Sequence, residues 1–422
     1  MGGAVSRDGF LASLLFSIVN RASIKDREGM STSLINPELA EQNLLNLLQI
    51  PGLSGRERQV ADHLMAELIA AGCDAEWISE DDAHTRIPRD FEMGNLIVKI
   101  PGTVEGPRLM FSGHMDTVPL VRGVKPKKEG NRFVSQGDTA LGADNRTACA
   151  AILTLVQVLM KNDLPRPPIT LLFTVGEEIG LFGAKEVNVE ELGSPALGFN
   201  IDSGEPDRAI IGAIGAHRWQ GESKVIASHA GVHPEHGVSA ALIAARAIAD
   251  ISEKGYFGLI QKDGKAGTSN VGVIQGGEAS NQVTDQVKVT GESRSHDPEF
   301  LIEITESIRS CFEAAAASVE NHVGKAGKIT FNFQADYHAF RMQEDHPTVK
   351  ATANALAKLG ITCKPEVTNG GLDANFLNVK GIPTVTLGAG QHNPHTVDEY
   401  ADIGEYLTCC KLLVQIVEDA AG

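Results

Sequence analysis

Hydrophobic positions along the chain change rhythm several times, and each rhythm predicts an element. In "NPELAEQNLLNLLQI" the apolar residues recur at helical spacing, with Asn36 placed to cap and Pro37 at the first helical position. The spacing returns in "SGRERQVADHLMAELIAAG", where Ser54 and Glu57 read as a capping box and Gly72 as the stop. Three short unbroken apolar runs, "GNLIVKI", "RLMFSG" and "ITLLFTV", read as strands buried on both faces. Between the last two, "NRTACAAILTLVQVLM" keeps a helical stripe through Ala148, Ile152, Leu155 and Leu159. Strands separated by helices predict an α/β fold, a mostly parallel sheet with helices on both faces.

The middle of the chain has a different pattern. "AHRWQGESKVIAS" alternates like a half-exposed strand, and "VSAALIAARAIADISEK" is helical. "TSNVGVIQGG" and "QVKVTGESRSH" read as strands, "PEFLIEITESIRSCFEAAAASVENHV" as a long helix, and "KITFNFQADYH" as a strand. That βαββαβ order describes a compact α+β insert at 213–340 with its own core. Afterwards the first pattern resumes with a helix at 347–359, a strand near 363–368, the run "IPTVTLG" and a final helix at about 398–420. The expected organisation is one discontinuous domain, 31–212 and 341–422, carrying one inserted domain.

Residues 1–30 read as a poorly ordered or amphipathic extension, or one foreign to the natural protein, with Met30 as an alternative start. Their apolar run "FLASLLFSIV" is too short to span a bilayer, and no small-residue cleavage site follows it.

Composition narrows the function. A formal net charge of −17 argues against a duplex nucleic-acid binder, which needs a basic face. Six cysteines without CxxC pairs or framework spacing read as reduced thiols and predict a cytoplasmic protein.

Candidate chemistry collects where predicted strands end, which is where open α/β sheets place their sites. His114 and Asp116 follow "RLMFSG" and, two residues apart on extended chain, face the same side. Asp144 sits just before a helix start, Glu177 and Glu178 follow "ITLLFTV", and Asp202 ends "GFNID". His392 and His395 lie in a late loop. Burying one unpaired carboxylate is costly; a shared cation neutralises several together.

Five stretches, "GHMDTVP", "GADNRTA", "GEEIGLFGA", "NIDSGEP" and "NPHTVDE", resemble the ordered motifs of the di-zinc aminopeptidase, carboxypeptidase and aminoacylase superfamily. Within it, "NGGLDANFLNVKGIPTVTLGAG" and "PHTVDEY" resemble the peptidase T (tripeptide aminopeptidase) group most, and the insert matches that family's lid domain in place and length. The resemblance covers about 36–420.

It implies two Zn2+ per chain, with Co2+ or Mn2+ as substitutes. His114 and Asp202 would hold one ion, Glu178 and His395 the other, and Asp144 would bridge them. Asp116 would orient His114, and Glu177 would be the general base for a metal-bridging hydroxide attacking a short peptide. His392 is the rival of His395, which the motif favours. From the lid, His229 would supply an oxyanion donor, reaching a partner subunit's site and so implying a homodimer. Asn281 and Arg294 would grip the substrate carboxylate. The alternatives are a carboxypeptidase or an N-acyl-amino-acid deacylase of the same superfamily, and, more remotely, a non-catalytic ligand-binding α/β protein. The last lacks a GxGxxG turn or a GK[ST] loop.

Overall fold

The computed structural model describes residues 31–422, so the expected extension at 1–30 lies outside the described residues. The chain divides into two compact units. One comprises the described residues up to Ala209 together with Gln343–Pro365 and Ile382–Gly422; the other comprises Ile210–Met342 and Glu366–Gly381.

In the first unit, strands Leu109–His114 and Ile169–Thr174 are buried along their whole length. The strand order is Ile78–Glu80, Leu96–Ile100, Ile169–Thr174, Leu109–His114, Leu197–Ser203, Thr384–Gly388. The last four are mutually parallel, in register from Leu109↔Ile169 to His114↔Thr174 and from Leu109↔Leu197 to Ser112↔Asn200. Leu96–Ile100 runs antiparallel to Ile169–Thr174, so the sheet is mixed. The link 101–108 to Leu109–His114 holds no helix to carry the chain back along the sheet, so that next strand runs opposite to Leu96–Ile100. Ile169–Thr174, parallel to Leu109–His114 and lying between the two, opposes it as well.

Helix Ala143–Lys161 lies against the central strands, with Ala148, Ile152, Leu155 and Leu159 buried. Helix and strand approach so closely that a Cβ added at Gly113 would stand 2.5 Å from Ala148 Cβ. Helices Pro37–Leu48 and Ile403–Ala421 pack against Ala143–Lys161 and against each other: Asn43 Nδ2 donates to Thr154 Oγ1 at 2.9 Å, and the Tyr406 hydroxyl donates to Ala40 O at 2.9 Å. Asn36 caps the first of them through Leu39 N–H, with Pro37 at its first position, as the pattern predicts. The Ser54–Glu57 capping box does not form: Glu57 occupies the cap position of helix Arg58–Ala70 without a side-chain cap bond. A small antiparallel sheet, Gln391–His392, Tyr400–Asp402, Arg132–Ser135 and Pro126–Glu129, supports the late loop.

The second unit is built on a five-stranded antiparallel sheet ordered Gly258–Lys262, Lys265–Gly276, Gln286–Ser295, Gly215–Lys224, Thr330–Tyr337. Helices Ala240–Glu253 and Pro298–Ser318 bury Ile243, Ala247, Ile304, Ile308 and Phe312 against Trp219 and Val289. The expected βαββαβ order is present with one strand added to its sheet, Gly258–Lys262, returned by a turn at Asp263–Gly264 with φ of 50° and 76°, and with a separate short ribbon, Ser228–His229 and Gln282–Val283. Helix Asp373–Val379 is held to this unit by Asn375 Nδ2, which donates to Ile214 O at 3.0 Å and His338 O at 2.7 Å.

Candidate metal centre

Side-by-side pairing of parallel strands brings their carboxyl ends to one edge of the first unit. His114 is the last residue of its strand and is 1% exposed. Its Nδ1 lies 3.1 Å from Asp116 O and 3.3 Å from Asp116 Oδ1. A carbonyl only accepts, so Nδ1 carries a hydrogen and Nε2 is the nitrogen turned towards the carboxylates, free to ligate once it gives up any proton. Around Nε2 stand Asp144 Oδ1 at 3.0 Å, Glu177 Oε2 at 3.9 Å and Asp202 Oδ1 at 4.0 Å.

The other oxygen of Asp144, Oδ2, lies 3.6 Å from His395 Nε2, and that nitrogen lies 2.8 Å from Glu178 Oε2. One carboxylate thus faces two imidazoles, one with each oxygen. The chain reaches this position because Gly142 takes φ 79° and Asp144 and Asn145 have non-helical angles, turning Asp144 off the helix that follows.

Asp116 is fully buried. Its carboxylate accepts Ser54 Oγ–H at 2.6 Å, Glu177 N–H at 3.0 Å and Glu178 N–H at 3.2 Å. It therefore aims the imidazole of His114 and fixes the backbone of the glutamate pair at once. Ser54 is spent here rather than on a helix cap. Glu57 Oε1 accepts Gly55 N–H at 2.9 Å and Gly176 N–H at 3.0 Å, bracing the same loop. Burial, then the nearby Asp116 charge, pushes the Glu57 carboxyl up to about 8.

Sequence reasoning assigned no role to Glu399, although it ends the motif "NPHTVDE". It is 2% exposed; Oε2 accepts Leu141 N–H at 2.7 Å and Gly142 N–H at 2.8 Å, and Oε1 accepts Asp144 N–H at 3.0 Å. Gln391 was also missed; its Nε2 donates to Asp202 Oδ1 at 3.0 Å. His392 turns away, bonded to Glu405 Oε2 at 2.6 Å and stacked on Tyr400.

The donor set suits divalent cations. Imidazole and carboxylate are borderline and hard ligands of the kind such ions take. Glu178 Oε1 is buried with no hydrogen-bond partner. His114, Asp144 and Glu178 each offer an atom within 4.8 Å of the others. Without an ion the cluster draws protons instead. Burial opposes protonation of His114, yet hydrogen bonds to Asp116 and Asp144 hold its pKa well above the ordinary value. Hydrogen bonds to Asp144 and then Glu178 raise His395 to about 10. Burial raises Glu178, while Asp144 is lowered, burial being outweighed by His114 and His395.

Residues His229, Asn281 and Arg294 belong to the second unit. Ser228–His229 pairs with Gln282–Val283, and Ala230 N–H donates to Asn281 O at 2.8 Å, so His229 and Asn281 are close along one ribbon. Arg294 lies on strand Gln286–Ser295, its guanidinium on both oxygens of Glu292 at 2.9 and 3.2 Å.

An α/β sheet that gathers imidazoles and carboxylates around one shared carboxylate defines a hydrolytic enzyme of the metal-dependent kind. The chain belongs to the Peptidase family M20/M25/M40, whose description it matches over residues 110–419. It is 31% identical over 389 residues to the uncharacterized protein YqjE of Bacillus subtilis, covering 92% of this chain and all of that one. A tripeptidase from Staphylococcus aureus superposes with a TM-score of 0.83 at 32% identity, over 92% of this chain and 99% of that chain. The aminopeptidase PepT of Bacillus cereus does so with 0.81 at 30% identity, over 92% and 100%. The protein is a peptide hydrolase. Among the described residues, no helix is long and apolar enough to cross a membrane.

Proposed function

We propose that the enzyme is a dinuclear exopeptidase that trims short peptides, tripeptides foremost, from the amino end. His114 and Asp202 would hold one divalent ion and Glu178 and His395 the other, with Asp144 available to both. The observation that carries this is the division of Asp144: Oδ1 stands 3.0 Å from one imidazole and Oδ2 3.6 Å from the other. Zinc suits the donors, and cobalt or manganese can replace it. The bound ions supply Lewis acidity towards a carbonyl and towards water.

The chain's own groups do the rest. Glu177 takes a proton from the attacking water and returns it to the leaving amine. Asp116 keeps the His114 tautomer and holds the Glu177 backbone. Gly231 N–H donates to His229 Nδ1 at 3.2 Å, so the His229 hydrogen sits on Nε2, the form needed to donate to an oxyanion. Arg294 and Asn281 receive the substrate carboxylate, for which a planar guanidinium is suited.

Further supports concern setting and assembly. All six cysteines are free thiols, consistent with a cytoplasmic location. Exposed Leu259, Val273 and Ile274 on the second unit suit a homodimer formed there, testable by sedimentation. The function itself is tested with a panel of di-, tri- and tetrapeptides and N-acetylated controls, scored for the end trimmed. Release of the amino-terminal residue from tripeptides is expected. Cleavage only at the carboxyl end, or only of the acetyl group, overturns the reading.

A further inference from the structure

A second group of metal-type donors stands on the second unit and shares no residue with the centre above. After Ser228–His229 the chain enters a tight loop in which His233 N–H donates to His229 O at 3.0 Å. Pro234 opens the single turn Pro234–His236, closed by His236 N–H to His233 O at 3.1 Å and Gly237 N–H to Pro234 O at 3.2 Å. Proline presets the backbone angle of that turn, so the side chains it carries are held near one another.

The turn and His233 just before it carry two imidazoles and a carboxylate. Glu235 Oε1 lies 3.1 Å from His233 Nδ1 and 3.5 Å from His236 Nε2. The rings of His233 and His236 stack with centroids 4.6 Å apart and planes 10° apart. One donor atom from each of the three residues lies within 4.8 Å of the other two. Zinc bonds of about 2.0–2.1 Å in a tetrahedron place neighbouring ligand atoms roughly 3.3–3.4 Å apart. The two carboxylate–imidazole separations already match that spacing, and small side-chain rotations close the third.

A second segment braces the group. His322 N–H donates to Glu235 O at 2.9 Å and its Nδ1 lies 3.1 Å from the same carbonyl. Asn321 Nδ2 donates to His236 O at 3.2 Å, and the His322 ring packs on His236 at 4.6 Å. These contacts fix the loop backbone and leave the three donors half exposed, with side-chain exposures of 58%, 49% and 50%. Remaining coordination positions would be filled by water.

We propose that His233, Glu235 and His236 form a peripheral site for a borderline divalent transition cation of the Zn2+, Ni2+ or Cu2+ type. Two imidazoles and one carboxylate favour such ions over Mg2+ and Ca2+, which prefer all-oxygen sets. An ion there ties the loop that begins at His229. That consequence for catalysis rests on the role proposed for His229, whereas the site itself does not.

The test uses the full-length, metal-stripped protein titrated with Zn2+ alone by calorimetry, beside the His233→Ala/His236→Ala variant. The parent should bind one equivalent more than the variant, and the equivalents common to both should be unchanged. Glu235→Gln, which keeps the loop's shape, should weaken the extra equivalent. His322→Ala should retain it with affinity lower by about 10-fold. Equal stoichiometry in parent and double variant overturns the proposal, as does an extra equivalent that survives the double substitution. Failure of the dinuclear centre would instead remove the equivalents shared by both proteins and leave their difference intact.

Discussion

Replacing Glu399 by glutamine isolates how the carboxylate shared between two imidazoles is aimed. Glu399 does not touch the imidazoles of the centre; it holds the turn Leu141–Asp144 through three backbone N–H groups. In Glu399→Gln the amide oxygen can keep the Leu141 and Gly142 bonds by taking the place of Oε2. The amide NH2 must then face Asp144 N–H, donor against donor. One buried bond to a charged acceptor is lost, worth about 1.5–3 kcal/mol. If that loss falls on the orientation of Asp144, metal affinity drops by roughly 10- to 150-fold. The assay is competition with a chelating dye, run beside a thermal melt. Weaker metal binding with a small change in melting temperature is expected. An unchanged metal affinity, whether or not the melt shifts, refutes the idea that Glu399 positions Asp144.

The remaining expectations concern separate groups. Glu177→Gln should keep both metals and lose about 10²–10⁴ of the rate, since it removes proton transfer alone; a variant nearly as fast as the parent would reassign the base. Arg294→Ala should raise KM for free-carboxylate peptides by about 10- to 100-fold, the worth of a charge-assisted pair, and much less for amidated ones; equal effects on both substrates would remove the clamp. In the metal-free protein His395 is raised from 6.5 to about 10, so at pH 8 metal uptake must expel its proton. Calorimetry in buffers of different ionisation enthalpy should read proton release, and no buffer dependence would contradict it. The same raised value stabilises the metal-free fold below the ordinary pKa, and this contribution is lost as pH rises towards about 10.

Much of this architecture was legible because burial writes itself into composition. Strands Leu109–His114 and Ile169–Thr174 are buried on both faces, so they appear as unbroken apolar runs, and the polar residues that end them stand out. What was hidden depended on distant partners. Ser54 and Glu57 have capping-box spacing, but one bonds Asp116 and the other Gly176, contacts no local pattern encodes. The antiparallel course of Leu96–Ile100 had a signal in the missing crossover helix after it. Strand Gly258–Lys262 had one too, since Asp263–Gly264 is a two-residue hairpin turn. Glu399 lay inside a recognised motif, yet its role is visible only where three backbone donors converge on it.

The central claim is that His114, Asp144, Glu178, Asp202 and His395 jointly hold two ions. Anomalous diffraction from zinc-loaded crystals addresses it directly. Two peaks are expected roughly 3.5–4 Å apart, one beside Asp144 Oδ1, His114 and Asp202, the other beside Asp144 Oδ2, Glu178 and His395. A single peak, or a pair that Asp144 does not touch, would contradict the account.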